Sequence, residues 1–190
     1  MAALILAVLI VAASRWTFSA GPDHERYHNR QFVCVQVVDG DTIDVDAPDA
    51  GLATTRVRFW GVDTPETAKS RQGEMYFGLQ ASAFTKSCVD GKTVRLVLAP
   101  DQTRDKYGRL LAYVYFDEPP RMLNEEIIAG GFGYVDSRFD HVWRQRFMDV
   151  EGRARKQGLG LWAEVRPDQM PEWRQRREAY RASLTRPAAN

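Results

Sequence analysis

Apolar and polar residues alternate along much of the middle of the chain. Thr55 to Trp60 sets Val57 and Phe59 on one side and Arg56 and Arg58 on the other, the period-two pattern of a half-buried strand. Phe32 to Val38 is a β-branched apolar run, punctuated by Asp39-Gly40 before Thr42 to Val45 resumes the extended pattern; two strands around a tight turn are expected. Thr93 to Leu98 and Leu110 to Phe116 read as strands around the polar turn Asp101 to Arg109. The period changes between the third and fourth strands. From about Gln72 to Val89, Met75, Leu79, Ala83 and Phe84 fall on one helical stripe. A second helix is expected from Met122 to Ala129 and a third from Val142 to Lys156, where Gly158 ends it, with a short strand at Phe132 to Val135 between them. Five short strands with three interspersed helices predict an α+β fold on a five-stranded OB-type β-barrel.

The ends read differently. Ala2 to Ala13 is uncharged and apolar, much shorter than the roughly 20 residues of a membrane span. It fits the apolar region of a signal peptide, with small residues for cleavage after Ala13 or Ala20. Residues 1–20 are therefore expected to be a signal peptide or an N-terminal anchor, 21–31 a linker, 32–164 the folded domain and 165–190 an Arg-rich polar tail. From Glu164 onward there are six arginines against four acidic residues, with Trp173 and Tyr180 helically spaced after Pro171; the tail reads as a solvated terminal helix. A monomer, secreted or periplasmic, is expected, with a membrane as partner only if the first segment is retained.

Composition narrows the class. A chain of 190 residues with 44% hydrophobic and 27% charged residues is long enough for one well-cored domain and is neither disordered nor a membrane bundle. Its formal charge of +1 exerts no global pull on nucleic acid, so any case for such a partner must be local. Cys34 and Cys88 are the two cysteines; a disulfide permitted by export and a pair of small buried hydrophobes both remain open.

Three clusters stand at strand ends: Val38-Asp-Gly-Asp-Thr42, Arg58-Phe-Trp-Gly-Val-Asp-Thr-Pro-Glu66 and Asp105-Lys-Tyr-Gly-Arg109. Asp41, Asp63 and Glu66 are hard oxygen ligands or bases, better suited to calcium, magnesium or manganese than to zinc. Arg58 and Arg109 are planar forks of the kind that hold charge building on a phosphodiester. Singly, each such residue is an ordinary turn former or surface group; it is the joint occurrence that points to chemistry.

These segments resemble those of the staphylococcal nuclease family from about Phe32 to Glu164. The likeness includes Val62-Asp-Thr-Pro-Glu-Thr67, Gln80-Ala-Ser-Ala-Phe-Thr-Lys86, Asp105 to Tyr113, Leu123-Asn-Glu and Gly158 to Glu164. The resemblance implies an OB-type barrel with three helices and calcium-dependent hydrolysis of DNA or RNA that leaves 3′-phosphates. It implies calcium held by Asp41, Asp63 and the backbone carbonyl of Thr64, with Glu66 orienting or deprotonating the attacking water. By the same likeness Arg58 and Arg109 bind the scissile phosphate, and Lys106 and Tyr107 assist with a terminal phosphate. One departure concerns the tyrosines that pack the nucleotide base in the family: here the stretch reads Asp136-Ser-Arg-Phe-Asp140, leaving Tyr134 or Phe139 as candidate stacking surfaces.

Three rival readings are weaker. His24-Glu-Arg-Tyr-His28 matches the H-E-x-x-H zinc pattern but lies in the linker without an apolar stripe. A calcium loop of the EF-hand type beginning at Asp39 fails because Asp44 and Ala50 stand where glycine and glutamate are needed. A non-catalytic nucleic-acid- or protein-binding module of the same fold would be expected to lack part of the set Asp41, Arg58, Asp63, Glu66 and Arg109, all of which are present.

Overall fold

Period-two patterning serves a barrel where a strand has one face to bury, as Thr55–Phe59 does, while Thr42–Val45 and Leu110–Phe116 are buried almost throughout. The computed structural model describes residues 21–68 and 73–184; the expected signal peptide and the expected helix start at Gln72 lie outside them. The strands are β1 (Arg30–Val37), β2 (Thr42–Val45), β3 (Thr55–Phe59), β4 (Val62–Asp63), β5 (Thr93–Leu98), β6 (Leu110–Phe116), β7 (Arg121–Met122) and β8 (Tyr134–Val135). They run β3-β2-β1-β5-β6-β7, and a further β3–β6 pairing closes the five longer ones on themselves. That closing seam is parallel, with Val57 opposite Leu110 and Arg58 opposite Leu111, whereas the other pairings of the sheet are antiparallel. The separate β4–β8 ribbon puts Val62 opposite Val135 and Asp63 opposite Tyr134.

On β3, Val57 and Phe59 point inward as the alternation requires. They join Ile43, Val45, Leu96, Leu98, Leu110 and Val114 in the core; burying each aliphatic side chain of this kind contributes about 1.5–3 kcal/mol. Helices α2 (Gly78–Val89), α3 (Leu123–Ala129) and α4 (Arg144–Gln157) follow the expected order, and α4 stops where Gly158 turns left-handed at φ 63°. Within α3, fully buried Asn124 explains the Leu123-Asn-Glu segment: its amide accepts from Val114 N and donates to Trp60 O and Ala112 O, tying the ends of β3 and β6 together.

Two expectations are corrected. The stripe Met75, Leu79, Ala83, Phe84 is not the packed face of α2, for Leu79 is 59% exposed while Ala81, Thr85 and Val89 are buried. Phe77 is held left-handed at φ 70° and Met75 N donates to Glu66 O, so the helix begins later and rotated. The tail is not a solvated helix. Its α5 (Glu172–Leu184) packs through Arg174, only 2% exposed, against Glu151 of α4. At the other end, Gly21–Arg30 contains a short helix, α1 (Pro22–Tyr27), whose Tyr27 is fully buried and whose Asp23 pairs with Arg104. Cys34 and Cys88 are free thiols, and burial pushes Cys34 up to about 11. Among the described residues no helix is long and apolar enough to cross a membrane.

Candidate functional site

The turn between β1 and β2 is built around a close approach. Any Cβ on Gly40 would lie 2.6 Å from Thr64 Oγ1, so only glycine lets Thr64 pack there. Thr64 in turn donates from its backbone N (2.8 Å) and its hydroxyl (3.2 Å) to Asp41 Oδ2, while Thr42 holds Asp41 Oδ1 at 3.0 Å. From α2, Thr85 donates to Gly40 O at 2.6 Å. Asp41, 5% exposed, is thereby fixed from three segments of the chain.

Arg58, leaving β3 on the side opposite Val57, bridges the two acids. It pairs with Asp41 through Nη1 and with Asp63 Oδ1 through Nη2 at 2.7 Å. Asp63 also receives Arg138 Nη2 at 3.2 Å on Oδ1 and the indole N–H of Trp173 at 2.8 Å on Oδ2. Arg138 is itself forked onto Asp136, with Nε and Nη2 each 2.8 Å from a carboxylate oxygen. The field of Arg58 thus includes Asp39, Asp41, Asp63 and Asp136. Burial acts to lower the Arg58 pKa, but Asp41, Asp63 and Asp39 together hold it above the ordinary arginine value. Burial raises the carboxyls of Asp39 and Asp63, and the neighbouring charge of Asp41 raises both further.

Four carboxylates, Asp39, Asp41, Asp63 and Asp136, thus surround the guanidiniums of Arg58 and Arg138, and with all four ionised the acids outnumber the cations. The donors are all hard oxygens, the set that calcium or magnesium takes. Arg58 brings Asp41 and Asp63 together, and Thr64 stands against Asp41; their oxygens are of the donor type such an ion takes. Among the described residues no group of three or more His, Cys, Asp or Glu forms a closed metal cage, so a cation here would rest on two carboxylates, a carbonyl and solvent.

The remaining expected residues take no part in the bonds of this cluster. Glu66 is half-buried beside α2; its backbone carbonyl receives Met75 N at 2.9 Å, and its carboxylate has no hydrogen bond or ion pair among the described residues. Arg109 is gripped by Asp105, which takes its Nε and Nη2 at 2.7 Å, and it enters β6 immediately before Leu110, one strand across from Arg58. Lys106 and Tyr107 crown the same turn, with Lys106 Nζ 5.0 Å from the ring of Tyr107, 71% exposed. Tyr134 is corrected as a stacking surface. It is fully buried and packs edge-on against Trp162 at 5.3 Å, because β8 turns it inward. Phe139, 44% exposed and 5.3 Å from Trp60, keeps a face to solvent.

Arg138, Asp136 and Trp173 were not singled out from sequence as site residues. Arg138 and Asp136 lie in the very stretch that departs from the expected tyrosines, which was a usable signal. For Trp173 the only signal was an aromatic residue following Pro171.

Comparison with known proteins places this architecture. Residues 56–164 match the family model described as staphylococcal nuclease homologue. The chain is 30% identical to a thermonuclease of Staphylococcus hyicus and 31% identical to one of Staphylococcus intermedius, each alignment covering 84% of this chain and 94% of the relative. It is also 33% identical to endonuclease YhcR of Bacillus subtilis, over 70% of this chain but 11% of that longer protein. With the closed mixed barrel and the Asp41–Arg58–Asp63 cluster in place, the chain belongs to the staphylococcal nuclease family.

Proposed function

We propose that this protein is a calcium-dependent nuclease that hydrolyses phosphodiester bonds of DNA, RNA or both and leaves 3′-phosphate ends. The observation that carries the reading is the joint placement of Asp41, Arg58 and Asp63 in one ion-paired acidic cluster, in a chain similar to thermonucleases. Asp41, Asp63 and the Thr64 carbonyl are the ligands that would hold the ion. When bound, calcium supplies positive charge beside the phosphate and acidifies nearby water.

The chain's own groups carry the rest. Arg58 and Arg109 present guanidinium forks to the non-bridging oxygens, which gain charge as phosphorus is attacked. Arg58 is held in place by two acids and Arg109 by Asp105, so neither fork must be ordered when substrate arrives. Glu66, whose carboxylate has no partner among the described residues, takes the proton of the attacking water as its oxygen bonds to phosphorus and the bond to the 5′-oxygen breaks, the departing oxygen taking a proton from solvent. Lys106 and Tyr107, exposed on the Asp105–Arg109 turn, meet a terminal phosphate, and Phe139 offers the base an aromatic face. Export as a secreted or periplasmic enzyme is part of the same proposal; it rests on the run Ala2 to Ala13.

A single assay series tests it: cleavage of end-labelled DNA and RNA with calcium, with excess chelator, and by Glu66→Gln. Chelation is expected to abolish cleavage, and Glu66→Gln to slow single turnover by about a hundred- to ten-thousand-fold while calcium still binds. Full activity in chelator removes the metal from the proposal, and near-native turnover of the variant removes Glu66.

A further inference from the structure

Trp173 lies outside the residues that match the family model, in the tail helix, yet its indole N–H reaches Asp63 Oδ2 at 2.8 Å. We propose that Trp173 is a positioning residue for the metal-binding carboxylate of Asp63, and that α5 is a working part of the active site. The inference rests on the calcium reading above.

The two oxygens of Asp63 are treated differently. Oδ1 is taken by Arg58 and Arg138, at 2.7 and 3.2 Å, whereas among the described residues Oδ2 receives only Trp173. A carboxylate oxygen has room for two partners, so the indole fixes Oδ2 and leaves it one lone pair. The donor's chemistry matters. Arg58 and Arg138 bring full positive charge that competes with a cation for Asp63; an indole N–H is neutral and orients the oxygen without that competition.

The indole is itself held. Arg138 Cζ sits 4.8 Å over its ring. The next residue, Arg174, is forked onto Glu151 at 3.1 and 2.7 Å, and Glu151 Oε1 also accepts Val135 N at 2.9 Å. Val135 pairs with Val62, the neighbour of Asp63. A closed ring of bonds therefore runs from Asp63 through β4, β8, α4 and α5 back to Asp63, and it compensates for the shortness of β4, a strand of two residues. Groups standing behind a ligand in this way typically change metal affinity about ten- to a hundredfold when removed.

Calcium chloride titrated calorimetrically into metal-free wild type and Trp173→Phe tests this, since phenylalanine keeps an aromatic ring for Arg138 while removing the N–H together with the smaller ring that carries it. The variant is expected to bind calcium at least about tenfold more weakly, and to regain most of its kcat at saturating calcium. An unchanged or tighter calcium Kd overturns the proposal, as does a lowered melting temperature of the metal-free protein with calcium Kd unchanged, which marks a packing role. Should the variant not fold, the indole ¹⁵N–H signal of Trp173 in wild type, assigned through its own backbone, is expected to shift on adding calcium; a signal that stays put overturns it. Wild type that binds no calcium sinks the calcium reading and this inference together, whereas equal binding by wild type and variant sinks the positioning role alone.

Discussion

Arg109 sets Nε and Nη2 on a single oxygen of Asp105, with side chains 28% and 16% exposed; on the proposed function the value of the pair lies in aim. Arg109→Lys keeps the charge and loses the planar fork. It is expected to lower kcat about ten- to a hundredfold, somewhat less than complete loss of a donor to developing charge, with the melting temperature nearly unchanged. Steady-state cleavage beside thermal unfolding checks both halves; unchanged kcat would make Arg109 an ordinary surface cation. At this scale much of the site could be read from sequence, because turn acids, a turn glycine and strand arginines stand in short local motifs. Asp41, Asp63 and Arg58 were legible for that reason. Tyr134 was not: whether a residue beside a short strand faces solvent is decided by what covers it, here Trp162 from a distant segment.

The helix α5 is fastened by a buried ion pair, Arg174 at 2% and Glu151 at 8% side-chain exposure. Removing one partner strands the other charge in the interior, at a cost of about 3–5 kcal/mol. For a domain of this size that corresponds to roughly 10 °C in Tm. Arg174→Ala is expected to show it by differential scanning calorimetry, whereas Arg176→Ala, whose partner Glu172 is 85% exposed, is expected to change Tm by about a degree or less. Equal effects would mean that α5 is not anchored through Arg174. The same pair explains why the tail looked solvated in sequence. Composition reports that arginines are present; it does not report that Glu151, on another helix, waits for one of them. The strands were legible because alternation survives any tertiary context, while the start of α2 was not, since the left-handed Phe77 and the Met75–Glu66 bond are set by packing.

At the scale of the molecule, the barrel was foreseeable from the number and spacing of strands, but its parallel β3–β6 closure was not, because local patterning carries no information on which distant edges meet. The acidic cluster around Arg58 gives a molecular-scale expectation. An ion bound only by the native state stabilises it by about 2.7 kcal/mol at a hundred times its Kd, equivalent to about 5–10 °C here. Calcium is therefore expected to raise Tm and chelator to reverse the rise, measurable in a thermal-shift titration; a Tm indifferent to calcium would argue against a site in the Asp41–Asp63 pocket.

The closing seam also bears on when this chain becomes dangerous to the cell that makes it. Arg58 and Arg109 enter neighbouring strands only because β3 finds β6, across about fifty intervening residues, a pairing whose chain-entropy cost is met late. A nascent chain that has left the ribosome only as far as β5 holds Asp41, Arg58, Asp63 and Glu66 but lacks Arg109 altogether. The proposed phosphate clamp thus comes into being with barrel closure, and an interrupted synthesis product ending before β6 carries half of it. On the proposed function, order of synthesis therefore withholds part of the phosphate clamp from an unfinished chain.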